Sequence, residues 1–264
     1  MKYAYVGNGA IRFLRVLKSP EYYTYRNEVN MINNHAHKIK NNFEDNVIVL
    51  GVGNGEKLNK ILGDLNEEYV TLVDISEILL KKGLEFLKRN FNVENTSFEK
   101  LKLNDFSKKT SFVLFGGTLA NMKNWDQFLL KLKKNFPKQN IFLGLEFADM
   151  SKPKIIKKII KEYDNETGFK FIFYPLSILG FSRHDGHIEV GFNYRKSRIE
   201  EYFILNSSGI KKARRLKLLN SKKILLSISI KLERNQFLKK IKKIGLKNGL
   251  EFNNNNNSII ELKF

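Results

Sequence analysis

No cysteine occurs in the 264 residues. Disulfides and thiolate metal centres are thereby excluded, and the expected setting is cytoplasmic. Nor is there an apolar run long enough to span a bilayer, and the opening MKYAYVGNGAIRF lacks the pattern of a signal peptide; no membrane partner is expected. Acidic residues are also short: 27 Asp and Glu stand against 47 Lys and Arg, for a net charge of +20. A field of that sign draws nucleic acid, anionic lipid or acidic substrates. Nucleic acid is not the favoured partner, because no compact basic stripe interleaved with aromatics appears. KKIIKEYD, KLKKNF and LKKIKKIG read instead as solvated helix faces in a chain rich in Asn and Lys. His35 with His37, and His184 with His187 in RHDGH, have metal-like spacings but no further ligands near them in sequence, so no metal is expected.

What is present is an alternation. Strand-like segments at 46–52, 69–75, 96–104 (TSFEKLKLN), 111–117 and 140–147 are separated by helical spacing at 56–63, 77–91 and 124–136. That order builds a parallel sheet with right-handed crossovers, which takes ligands at the carboxyl ends of its strands. The texture changes after residue 150. A helix in SKPKIIKKIIKEYDNETG, ended by a glycine turn, is followed by FKFIFYPLSIL, HIEVGFNYRK, RIEEYFILN and KKILLSISIK, which read as strands with little helix between them. ERNQFLKKIKKIGLKNGLEF then gives a helix, SIIELKF a last strand returning to the first sheet, and NNNNN at 253–257 a loop tip. The length suits one large domain or a core with a smaller module.

The chemistry concentrates in VIVLGVGNGEKLNKIL (47–62). A triphosphate loop needs Gly-Lys-Ser/Thr, and Glu56, Lys57 and Leu58 stand there instead. A dinucleotide fingerprint wants a third glycine where Glu56 sits, which weakens that reading without excluding it. Gly51, Gly53 and Gly55 remain as a bare-backbone turn, across which S-adenosylmethionine could lie closely. Asp74 in YVTLVDIS, 23 residues past Gly51, stands where an acid takes a ribose diol. Asp105 can reach an adenine amino group while Phe106 covers its ring. Together they outline a nucleoside pocket.

These segments, with SPEYYTYRNE (19–28), FGGTLANM (115–122), EYDNETGFKFIFYPLSIL, HIEVGFNYRKSRIEEYFI and SISIK, resemble the histidine-specific, S-adenosylmethionine-dependent methyltransferase family over nearly the whole chain. The resemblance implies an α/β fold: a Rossmann-like class I methyltransferase core over 24–150 and 230–264, with a smaller α+β substrate-binding module over 1–23 and 151–229. It implies S-adenosylmethionine as cofactor, bound by Gly51, Gly53, Gly55, Lys57, Asp74, Asp105 and Phe106. It implies that Tyr5, Tyr22, Asn121 and Tyr163 hold the α-amino and carboxylate end of an amino-acid substrate, the first three also as catalytic residues. Without it, Tyr22 and Tyr23 suit an amphipathic core and Asn121 a helix cap.

The departures concern the substrate. Val49 stands where the family has a glutamate before its glycine turn. Ser227 and Ser229 stand where it grips the histidine ring with a glutamate and a serine, and Glu201 where it has a methionine. The expectation is an N-methyltransferase acting on the amino group of an amino-acid-like small molecule or peptide other than plain histidine. Glu201, Ser227 and Ser229 would line the side-chain end. The alternatives are an RNA or protein methyltransferase on the same core, and a non-catalytic basic nucleic-acid-binding protein that keeps the fold. The substrate, the number of methyl groups and the oligomeric state are not legible.

Overall fold

The computed structural model describes residues 2–100, 109–137, 139–218, 222–254 and 256–264. The chain forms two compact units: Met1–Tyr22 with Asp149–Lys231, and Tyr23–Ala148 with Leu232–Phe264.

The larger unit is built on a seven-stranded sheet, in the order β3-β2-β1-β4-β5-β10-β9. Strands β1 (Asn46–Leu50), β2 (Val70–Asp74), β3 (Asn92–Asn95), β4 (Thr110–Leu114) and β5 (Asn140–Glu146) are parallel, whereas β10 (Asn257–Lys263) runs antiparallel to β5 and to β9 (Lys247–Asn254). The central parallel strands read NVIVL, VTLVD and TSFVL because parallel strands are covered on both faces and carry apolar residues continuously. Helices α2 (Tyr23–Lys40), α3 (Asn59–Leu62), α4 (Glu77–Leu87), α5 (Trp125–Asn135) and α10 (Arg234–Lys243) complete this unit. Ile32 and Ile39 of α2, Ile61 and Leu62 of α3 and Leu80 and Leu87 of α4 share one core with Val47, Val49, Leu72 and Val113.

The smaller unit carries α1 (Asn8–Leu17), α6 (Pro153–Tyr163), α7 (Glu166–Ile172), α8 (Tyr174–Ile178) and α9 (Ser207–Arg215). Its antiparallel sheet has the order β6-β7-β8, formed by Gly186–Asn193, Arg198–Leu205 and Lys223–Ile230. Phe203 and Leu205 of β7 pack with Leu176, Phe181 and Ala213.

Four expectations are corrected. The third strand is Asn92–Asn95, not 96–104: Phe98–Lys100 is a 3-10 turn, and 101–104 lie outside the described residues. All four residues of β3 are exposed at the sheet edge, so NVEN carries no apolar alternation to betray it. FKFIFYPLSIL forms α7 and α8 rather than a strand, since a short apolar run fits either. The Asn165 side chain caps α7, so Gly168 lies inside that helix rather than ending α6. At the other end, Gly245 adopts φ +75° after α10, and KNGLEF beyond it becomes β9.

One packing constraint fixes the first strand–helix turn. A Cβ on Gly83 of α4 would collide with the Val52 side chain, and one on Gly55 would lie 2.9 Å from the Gly83 carbonyl oxygen. Helix and turn therefore touch backbone to backbone. Gly83→Val should lower the free energy of unfolding by about 1–3 kcal/mol through overpacking, measured by urea denaturation of this variant against the parent.

Candidate active site

At the carboxyl edge of the larger sheet, Gly51, Gly53 and Gly55 have φ of +91°, +62° and +81°, so the turn after β1 needs residues without a Cβ penalty. The turn is tied to β2 through Asp74. The Val52 N–H donates to Asp74 Oδ2 (3.0 Å) and the Ser76 N–H to Oδ1 (2.9 Å). Asp74 is only 6% exposed. Burial pushes its carboxyl up, while the N–H groups of Ser76, Val52, Gly53 and Ile75 pull the other way.

Helix α2 grips the same turn. The Tyr25 hydroxyl donates to Glu56 Oε2 (2.5 Å) and lies 2.8 Å from Asn54 Oδ1, and burial followed by the Glu56 carboxylate drives the phenol far up. Lys57 is ion-paired with Glu28, and its ammonium sits 4.8 Å over the Tyr25 ring. The lysine is thus paired with a buried carboxylate. The Asp74 carboxylate suits a nucleoside, whose ribose hydroxyls are donors to a carboxylate. An ideal Cβ on Gly53 would meet nothing within 4 Å, so the turn borders open space there. These residues fit the nucleoside of S-adenosylmethionine. The Asp105 and Phe106 expectations lie outside the described residues. Asn121 ends the 3-10 turn Thr118–Asn121 in this unit, half-buried, just after Gly116 and Gly117 at positive φ.

In the smaller unit, the register of β7 on β8 slips between Glu201 and Tyr202. The extra residue is Leu226 on β8; Glu200 and Glu201 keep regular partners, Ile228 and Ser227, and both are buried because this middle strand is covered on both faces. Glu200 is satisfied: Arg198 Nε donates to it at 2.6 Å, Tyr202 at 2.9 Å and Asn193 at 3.2 Å. Glu201, 3% exposed, lies opposite Ser227, whose hydroxyl donates to its carboxylate. Burial pushes the Glu201 carboxyl up from its ordinary value near 4.5 to about 7, against the Ser227 hydrogen bond and the Lys231 charge.

Two residues further along β8, Tyr163 donates to Ser229 Oγ (2.8 Å) and accepts from Lys231 Nζ (3.1 Å). An ammonium only donates, so protons point from Lys231 to Tyr163 to Ser229, and the Ser229 hydroxyl keeps its own proton for a further acceptor. Tyr163, Glu201, Ser227 and Ser229 are thus brought into one polar cluster that offers an acceptor at Glu201 and a donor at Ser229. Tyr5 packs edge-on against Phe13 and Phe171, with centroids 4.9 and 5.0 Å away. Tyr22 is half-buried, its N–H donating to the Ser19 carbonyl (3.1 Å).

Sequence reasoning passed over Glu28, Tyr25 and Lys231. SISIK places Ser227, Ser229 and Lys231 on one face by its period of two, and that spacing could have singled out the lysine. Likewise Glu28 interrupts the buried stripe Tyr25, Val29, Ile32 and Ile39 of α2, and an acid in such a stripe calls for a partner. The histidines have other contacts: His35 stacks on Phe252 (4.2 Å), His37 meets Asn41 (3.0 Å) and His187 meets Glu189 (3.2 Å). No group of three or more potential metal ligands occurs among the described residues, and no helix among them is long and apolar enough to cross a membrane.

Residues 1–262 match the family described as histidine-specific methyltransferase, SAM-dependent. No curated protein matches the chain. Among solved structures, magnesium protoporphyrin IX methyltransferase from Synechocystis PCC 6803, determined with bound SAH, is similar to it with a TM-score of 0.53 and 9% identity, over 99% of this chain and 97% of that one. The PH0226 protein from Pyrococcus horikoshii OT3 gives a TM-score of 0.52 at 12% identity, over 90% and 91%. At such identities the likeness is one of fold.

Two outcomes are expected. Asp74→Ala should lose most of the rise in melting temperature that S-adenosylhomocysteine gives the parent by mass action, while still unfolding cooperatively in the same thermal scan. Because the Glu201 carboxyl is raised in the folded state, its contribution to stability is fully present below pH about 4.5 and is lost as pH rises through about 7. Glu201→Gln should therefore unfold with nearly the same free energy as the parent at pH 4.5. At pH 8 it should be more stable by up to about 3 kcal/mol, as read from urea denaturation at the two pH values.

Proposed function

The chain belongs to the histidine-specific, SAM-dependent methyltransferase family, and within that family we propose that it methylates the amino group of an amino-acid-like small molecule or peptide other than free histidine. It is a methyltransferase, and its cofactor is S-adenosylmethionine. When bound, the cofactor supplies an electrophilic methyl group on a sulfonium, open to in-line displacement by a nitrogen lone pair.

The chain's own residues divide the remaining work. The turn Gly51–Gly55 and the Asp74 carboxylate hold the nucleoside. In this reading the α-amino and carboxylate end of the substrate falls to Tyr5, Tyr22, Asn121 and Tyr163, whose hydroxyl and amide groups bind without adding a net charge. An amine is mostly protonated at neutral pH, so the attacking nitrogen must be held in its neutral form while its proton leaves to water. Alignment rather than a strong base carries the acceleration, and near-attack geometry can supply about 7–11 kcal/mol of it.

The observation that carries the substrate reading is the Glu201–Ser227 pair. The family's ring-gripping acid is absent from β8, where Ser227 and Ser229 stand. A buried carboxylate reaches Ser227 from β7 instead. Neighbouring strands lie about 4.8 Å apart, so the acceptor is displaced sideways relative to the family's arrangement. A side chain with an N–H donor is favoured at Glu201, and one with an acceptor at Ser229. A ring seated for a β8 carboxylate would miss it.

Incubation with S-adenosylmethionine and a panel of free amino acids, dipeptides and small amines, followed by mass spectrometry, tests this. Products heavier by one to three methyl groups are expected from a member of the panel other than histidine. Rapid trimethylation of free histidine would sink the substrate assignment and leave the methyltransferase in place.

A further inference from the structure

Glu28 is 3% exposed, in a stripe of α2 that otherwise faces an apolar core. Its carboxylate joins three elements of the larger unit. The Gly116 N–H, just after β4, donates to Oε1 at 2.8 Å. Lys57, on the glycine turn after β1, donates to Oε2. On β5, a Cβ at Gly144 would collide with Oε1, so the bare backbone there is what admits the carboxylate. The neighbouring Leu143 and Leu145 are buried side chains, and only the position under Glu28 lacks one. Gly116 shows the same crowding, since its Cβ would lie 3.0 Å from the Lys57 ammonium.

Fold stability alone is a poor reason for such an arrangement. A buried ion pair is commonly no better than apolar side chains of the same volume, because desolvation offsets the attraction. Its location supplies a better one. The sheet order β2-β1-β4 puts the turn at the point where the strand order reverses, the crevice in which such sheets bind ligands. Lys57 and Gly116 stand on the β4 side of the turn, so with the ribose at Asp74 on the β2 side they would face the 5′ substituent. In S-adenosylmethionine that substituent is an α-amino acid with a free carboxylate. Glu28 is the one hydrogen-bond acceptor of the Lys57 ammonium among the described residues, and an ammonium has three donors.

We propose that Glu28, seated over Gly144, is a positioning residue for the amino-acid end of the cofactor: it fixes the Lys57 ammonium and the loop after β4 so that the lysine meets the cofactor carboxylate. Glu28 acts through Lys57 and Gly116 rather than by touching the nucleoside. The proposal rests on the cofactor reading above.

The test compares two probes by titration calorimetry. S-adenosylhomocysteine carries the amino-acid end, and 5′-methylthioadenosine keeps the nucleoside without it. Glu28→Gln preserves volume and one acceptor oxygen but removes the charge on which Lys57 is held. It should weaken S-adenosylhomocysteine about tenfold, as expected for loss of one charge-assisted buried contact, while 5′-methylthioadenosine changes by less than about twofold. Gly144→Ala, which evicts the carboxylate without altering Lys57, should give the same split. Equal losses for both probes would mean that Glu28 merely braces the turn, and unchanged S-adenosylhomocysteine binding would mean that it does neither; each overturns the proposal. A parent protein that binds neither probe would instead overturn the cofactor pocket itself.

Discussion

The carboxyl edge of the larger sheet depends on two backbones touching. Gly55 and Gly83 leave no side chain between the first turn and α4, so the turn is pressed onto the helix and its N–H groups are aimed by that contact. Only then can Val52 donate to Asp74, joining the ends of β1 and β2 through one buried carboxylate. Helix α2 adds two holds on the same turn, Tyr25 on Asn54 and Glu56, and Glu28 on Lys57. The turn is therefore a rigid object whose polar groups have fixed directions, as a preformed nucleoside seat requires.

The smaller unit solves a different problem, that of burying charge in an antiparallel sheet. Two successive glutamates of the middle strand, Glu200 and Glu201, lie on opposite faces and are both buried. One is matched by Arg198 and two further donors, and so is structural. Burial pushes the other's carboxyl up to about 7, against a serine hydroxyl and the field of Lys231. Two acids adjacent in sequence thus have separate chemistries, set by their partners rather than by their exposure.

Much of this was legible in the chain. The covered parallel strands announced themselves as apolar runs, and Gly51, Gly53, Gly55 and Asp74 as a spaced set, because burial on both faces and positive φ each restrict the residue types allowed. What escaped had weaker signatures. NVEN at an exposed edge is not required to alternate, and FKFIFYPLSIL is apolar enough for either a strand or a helix until Asn165 caps it. Glu28 could be read only by asking why an acid interrupts a helical stripe. Its partner, 29 residues away, belongs to an element whose place the local sequence does not state. The pairing of Glu201 with Ser227 is a property of two strands, and no spacing within RIEEYF displays it.

The asparagine and lysine content bears on the rims of the sheet. One border strand, β3, is four residues long and wholly solvent-facing, and the other, β9, begins Lys247, Asn248, Gly249 and ends Asn253, Asn254. Polar borders of this kind offer a second copy of the protein little to zip onto. The compositional bias that looked uninformative in the linear sequence thus places polar side chains along both open edges of the seven-stranded sheet.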